Sequence, residues 1–470
     1  VTDSVWKDEG DQGAAGSGER DPRPALLTSP MSLAQKIGIA MTLLITAADG
    51  FDILAASFAA PGIMAEWKVT HATIGIILAM NLVGMGLGAL LISPLADRIG
   101  RRRTILPCLL LVSAAMLLSC LTTGPVELAA LRLVTGLGIG GMAAPTLSLA
   151  TEYANLKSRP LAAAVISIGM PLGGMFGGAT ASWLLQSHDW RAVFIAAGLI
   201  TLSLGVAATA LLPESVDYLM SRGGERNLAT LNRVLRRFGQ PPLSHLPASA
   251  AREAADGGRQ GKRSGGPAIF ARGLRATTIA MIVINFTQMM TIFYFMSWLP
   301  QMVADMKFSG ADAAGVSIYQ NMFGIVGAVG VGLLGRRLPI VPLALTMMAG
   351  TAFAIILFTL LPANLALLKV GAGFEGLMAL GCSAAIYGVM ARAFPTANRS
   401  TGIGIAYAFG RLGSVAAAVV PGVLFTGGWS AVAVALVMSI GSVVAISALL
   451  WWRADSGHRL KAAEPVPSPA

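Results

Sequence analysis

The sequence predicts an all-α polytopic membrane protein whose twelve transmembrane helices form two six-helix halves. Three observations carry that expectation. Hydrophobic residues make up 55% of the 470 positions and charged residues only 12%, where soluble domains carry about 25% charged residues. Apolar runs able to cross a ~30 Å hydrocarbon core, about 20 residues each, recur from Ile37 to Trp452. One long hydrophilic stretch divides them into two sets of six. The runs are continuous rather than alternating, so they read as helices and not as barrel strands.

Taken in order, residues 1–36 read as a disordered cytoplasmic tail, polar, acidic and rich in Gly and Pro, with no cleavable signal peptide. Met31, just before the first span, is a candidate start. The N-terminal half, 37–212, holds spans at 37–62, 71–96, 104–123, 127–150, 161–185 and 190–212. A basic linker follows at 213–276. Its part "RNLATLNRVLRRFG" spaces Leu228, Leu231 and Leu235 along one helix face with arginines opposite, and predicts an amphipathic helix on the membrane surface. The continuation "DGGRQGKRSGGP" reads as flexible. The C-terminal half, 277–452, holds spans at 277–303, 313–334, 339–361, 364–391, 401–424 and 430–452, and 453–470 is a second tail.

The net charge of +11 does not mark a nucleic-acid partner, because of where it lies. Arg98, Arg101, Arg102 and Arg103 follow the second span, Arg336 and Arg337 the eighth, Arg392 and Arg399 the tenth, and the linker carries many more. The opposite connections hold little beyond Lys68, Arg191 and Lys307, partly balanced by Glu66, Asp189 and Asp305. Even-numbered connections and both termini are therefore expected on the cytoplasmic side of a bacterial-type inner membrane. Cys108, Cys120 and Cys382 lie in spans without a CxxC or a His neighbour, which argues against disulfides and metal sites. No phosphate-binding GxxxxGK[ST] loop is present.

Ionisable groups at membrane depth are costly and mark function by default. Asp49 and Asp52 in "ITAADGFDILAAS" share one helix face, where crowding at bilayer depth suits them to carry a proton. By helix rise, Asp52 lies roughly 13 Å and Arg132 roughly 9 Å below the outer ends of their spans. Glu375 and Arg411 come out near the middle of theirs. A fixed ion pair that orients two spans is the bland alternative for Arg132, and snorkelling that for Lys369. Asn285, Gln288, Tyr319 and Gln320, with Tyr407, supply uncharged groups for a substrate, although the run from Tyr319 to Asn321 cannot aim at one place. Phe286, Phe293, Tyr294, Phe295, Tyr387 and Tyr407 are candidate aromatic walls. Trp298 beside Pro300 reads as an interface anchor, and Asn81 as a helix-to-helix hydrogen bonder.

"SPLADRIGRRRTIL", residues 93–106, resembles the loop between the second and third helices of the major facilitator superfamily, with Asp97, Arg98, Gly100 and Arg101 matching. "RLVTGLGIGG", "SIGMPLGG" and "PESVDYL" resemble its fourth helix, its fifth helix and the sequence after its sixth. Within it, "DGFD" and "FPTANRSTGIGIAYAFGRLG" are similar to the aromatic acid:H+ symporter family. The resemblance covers residues 37–452 and implies the major facilitator fold and uptake of benzoate-like anions with protons. It implies proton coupling at Asp49 and Asp52, anion handling at Arg132 and Arg411, and a conformational gate at Asp97 and its arginines. Ser93 stands where the loop motif usually has Gly, and "GRRLP" in the second half lacks the usual acid. Glu375 maps onto no motif of the family and is read as a further proton-coupling residue.

The function expected is proton-coupled symport of a small organic anion, with the proton as coupling ion, no other cofactor and a monomeric functional unit. Rivals are the same fold carrying a non-aromatic acid or a sugar-like solute, a drug antiporter, and a transport-dead sensor. An enzyme is disfavoured because His71, His188, His245 and His458 are scattered over loops and tails.

Overall fold

The computed structural model of the chain describes residues 21–222, 224–245, 274–395 and 398–462. Twelve of its helices are long and apolar enough to cross a membrane. They are α1 (Leu33–Trp67), α2 (His71–Leu91), α3 (Arg101–Ser119), α4 (Pro125–Tyr153), α5 (Arg159–Leu184), α6 (Arg191–Leu211), α7 (Arg275–Asp305), α8 (Gly310–Leu334), α9 (Ile340–Leu360), α10 (Leu365–Ala393), α11 (Arg399–Thr426) and α12 (Ala431–Ala462). Among the described residues there is no strand.

Several helices outrun the apolar runs that predicted them, because their ends are fixed by capping rather than by hydropathy. α1 begins at a capping box, in which Ser32 Oγ accepts from the Gln35 amide at 3.3 Å and Gln35 Oε1 accepts from the Ser32 amide at 2.8 Å. It ends where Lys68 turns left-handed at φ 51°.

Two expectations about the hydrophilic segments are corrected. The tail is helical at Pro22–Thr28, and Asn155 Nδ2 donates to the Ser29 carbonyl at 3.2 Å, tying it to the α4–α5 loop; residues 1–20 lie outside the described residues. The amphipathic segment forms the helix Glu225–Arg237, but its apolar face meets protein instead of lipid. Leu231, Val234 and Leu235 are buried, and Phe238 packs edge-on to Tyr153 at the end of α4, 5.7 Å between ring centres. The Gly-rich continuation lies outside the described residues.

The two halves meet along α2 with α11 and α5 with α8. One end of the molecule carries the arginine-rich connections, and the seam lies toward the opposite, far end. There Ala72 N donates to Thr426 Oγ1 at 2.9 Å, Ser182 Oγ donates to the Ala311 carbonyl at 2.8 Å, and His71 stands 3.4 Å from Asp305. Trp298, expected at a lipid interface, is instead fully buried in this seam. Its indole donates to the Ala418 carbonyl at 3.2 Å, and its ring lies against His71 and Phe425.

At Gly75 the backbones of the two halves approach closely enough that a side chain is excluded. A Cβ on Gly75 would stand 2.6 Å from the Ala418 carbonyl oxygen. Gly75→Val is therefore expected to disfavour far-end closure and populate conformers open there. Spin labels at Leu121 and Trp429, one on each half at the far end, check this; a distance distribution unchanged by the substitution would refute it.

Candidate functional site

The candidate groups gather in two clusters, one in each half. In the N-terminal half Asp49 and Asp52 lie one turn apart on α1, 4% and 0% exposed. Thr201 on α6 donates to Asp52 Oδ2 at 3.0 Å. Asp49 Oδ1 and Asp52 Oδ1 are buried without a hydrogen-bond partner, so each acid retains an oxygen able to receive a proton.

Arg132 completes this cluster but does not bind as a bare anion receptor would. Its guanidinium is fully buried and reaches the Asp52 backbone carbonyl at 3.4 Å, not the carboxylate. Its other contacts are Met116 Sδ, Ser119 Oγ at 3.2 Å and Thr135 Oγ1 at 3.1 Å, and it lies 4.8 Å over the Phe194 ring. All these partners belong to the N-terminal half. Arg132 thus joins α1, α3, α4 and α6 beside the acids, and among the described residues none of its contacts is to the C-terminal half. The charge of its neighbours is legible in the sequence; the direction of its side chain is not.

In the C-terminal half, Arg411 on α11 bonds the Tyr407 hydroxyl one turn earlier, and its guanidinium lies 4.9 Å over the same ring. Tyr387 on α10 faces Tyr407 with ring centres 6.1 Å apart. Both rings keep 37% of their surface accessible. Asn285 on α7 is fully buried against the α11 backbone: its Nδ2 donates to the Ala406 carbonyl at 2.7 Å while its Oδ1 has no partner. The result is one planar cation and two phenols, contributed by α10 and α11.

The remaining polar candidates are not brought to that place. Gln320 donates through Nε2 to Glu375 Oε2 at 2.8 Å, a buried pair between α8 and α10 in which the Glu375 Oε1 is unpartnered. Gln288 points the other way along α7 and accepts from Ser442 on α12 at 3.0 Å. Tyr319 lies under Lys369, 5.5 Å from the ring centre, so the lysine stacks rather than only snorkelling. On this geometry Gln288, Tyr319 and Gln320 do not line the Arg411 cluster. Helical rotation separates them.

At the basic end, Gly100 turns the chain between a short helix, Leu95–Ile99, and α3 at φ 110°. A Cβ there would be strained and would stand 2.5 Å from Glu214 Oε2. Glu214 caps α3, accepting from the Arg102 and Arg103 amides at 3.0 and 3.4 Å. Arg101 Nε meets Glu152 on α4 at 3.1 Å, and its Nη1 donates to Ser215 Oγ at 2.9 Å. Asp97 is mostly exposed and 3.8 Å from Arg101, while the Arg98 carbonyl accepts from the Tyr218 hydroxyl at 3.5 Å.

Against known families, the Major Facilitator Superfamily matches residues 42–374. The chain belongs to this superfamily. Over 94% of its length the transporter is 28% identical to a "Gallate transporter" of Pseudomonas putida, covering 96% of that protein. It is also 28% identical to the "4-hydroxybenzoate transporter PcaK" of Pseudomonas aeruginosa, covering 92% of this chain and 95% of the other. Among solved structures it resembles the "partially occluded inward open conformation of the xylose transporter XylE from E. coli", with TM-score 0.69, 17% identity, and 90% and 98% of the two chains covered. That likeness establishes the fold.

Two acids of this major facilitator transporter, Glu152 and Glu214, went unrecognised in the sequence as partners of the loop motif. Glu214 sits in "PESVDYL" and carried a signal only as part of a resemblance; Glu152 carried none. Removing the Glu214 carboxylate leaves two α3 amides without their acceptor. Glu214→Ala is expected to lower stability by about 1–2 kcal/mol. Thermal unfolding in detergent measures it, and an unchanged midpoint would count against the cap.

Proposed function

We propose that this transporter takes up a small aromatic carboxylate together with protons by alternating access. The observation that carries the reading is the pairing of a guanidinium and two phenols in one half with two acids in the other, each acid having a free oxygen. The similarity to a gallate transporter and a 4-hydroxybenzoate transporter supports the aromatic class. Positive charge concentrated at one end supports cytoplasmic termini in an inner membrane.

In this reading a solute enters from the far side when the seam is open. Arg411 takes the carboxylate, ideally through two parallel hydrogen bonds, while Tyr407 and Tyr387 offer ring faces and hydroxyls to the aromatic body. Asp49 and Asp52 carry the proton, and Glu375, held by Gln320, is a further buried acid for a second one. Protonating an acid in the N-terminal half lowers the field opposing an entering anion, which couples the two clusters without contact. Closing the seam then exposes both clusters to the basic side, where solute and proton leave. The described inter-half contacts lie toward the far end, as this state requires.

One proton with one monovalent anion makes the cycle electroneutral. A second proton would add about 2.3 kcal/mol per 100 mV of membrane potential. Uptake into proteoliposomes with an imposed inward proton gradient tests the reading, using 4-hydroxybenzoate, gallate, a short dicarboxylate and xylose. Gradient-dependent accumulation of the aromatic acids alone is expected. Accumulation of only the dicarboxylate or the sugar would overturn the substrate class.

A further inference from the structure

We infer that the basic end carries a binding site for the phosphate headgroup of an anionic phospholipid, separate from the transport path. A cavity of about 280 Å³ opens there between the start of α9 (Pro339, Ile340, Val341, Pro342), the end of α10 (Val389, Arg392) and α12 (Trp452, Arg453). Its walls are apolar except for two guanidiniums and the Trp452 indole. That indole donates to Thr277 Oγ1 at 3.2 Å, which fixes the ring as a wall.

Arg392 and Arg453 are both exposed, and neither has a carboxylate within ion-pair distance among the described residues. Two unneutralised cations over an apolar slot match a ligand with an anionic head and a hydrocarbon body. The slot stands at the ends of three spanning helices, the depth at which lipid headgroups meet a protein. Basic clefts between helices on the positively charged side suit anionic lipid heads, each arginine adding attraction to a negative leaflet. A soluble anion would use the guanidiniums but leave the apolar walls in water. The lipid occupant satisfies both parts of the site.

The clusters around Asp52 and Arg411 do not line this cavity, so lipid binding and solute binding are separable. The test titrates the detergent-purified full chain with phosphatidylglycerol, phosphatidylcholine or glycerol phosphate and follows the thermal midpoint. Phosphatidylglycerol is expected to raise it, the other two not. The R392Q/R453Q pair is expected to weaken the half-saturating phosphatidylglycerol concentration about thirty-fold, from about 1 kcal/mol per lost cation. Val389→Phe, which fills the slot while keeping both cations, is expected to weaken it as well. An equal response to phosphatidylcholine, an equal response to glycerol phosphate, or unchanged phosphatidylglycerol binding in both variants would each overturn the proposal.

Discussion

Asp52→Asn is expected to abolish uphill accumulation of the solute while leaving solute exchange across the membrane in place. Asparagine keeps the shape of the carboxyl and can still accept from Thr201, whose hydroxyl lies 3.0 Å from Asp52 Oδ2. What it lacks is a group that gains and loses a proton. Proteoliposomes loaded with unlabelled solute separate the two activities: counterflow should persist, and accumulation driven by a pH gradient should vanish. Asp49→Asn, one turn away, should show the same split if the pair acts as a unit. Gradient-driven accumulation at the parental level in the Asp52 variant would remove the proton from this site.

Arg411→Gln is expected to weaken solute binding by about tenfold to a hundredfold, the range for losing one partner of a charge-assisted hydrogen bond. Lysine should rescue only in part, since an ammonium cannot present two parallel donors or lie flat over the Tyr407 ring as the guanidinium does at 4.9 Å. Equilibrium binding of 4-hydroxybenzoate to the purified protein measures this without requiring transport. Equal affinity in the glutamine variant would place the carboxylate elsewhere, and the same substitution should leave proton-linked behaviour of the Asp49 and Asp52 cluster intact.

The division into twelve spans was legible because hydropathy and the sign of loop charge are properties of composition along the chain. The helix faces were less so. Gln288 and Asn285 lie three residues apart on α7, yet one turns to Ser442 on α12 and the other to the Ala406 carbonyl on α11. A span that is apolar on every side gives no periodic signal by which to rotate it. Arg132 was recognisable as a group that must be satisfied, but its partners Met116, Ser119 and Thr135 are ordinary residues of any membrane helix. The helix Glu225–Arg237 was legible as amphipathic, and amphipathicity does not say whether the apolar face meets lipid or protein. Trp298 beside a proline carried the statistics of an interface residue, whereas the close approach at Gly75 and the Ala418 carbonyl made a buried slot for it.

The far-end seam joins close backbone approaches such as Gly75 on Ala418, the Trp298 indole and the hydroxyls of Thr426 and Ser182, with His71 and Asp305 its one charged contact among the described residues. Parting it replaces a dry contact with a wet one, so each opening is a hydration event more than a rupture of charges. Osmolytes that are excluded from protein surface favour whichever state hides more of it. The balance between the open and closed seam should accordingly follow water activity on the far side of the membrane more closely than ionic strength.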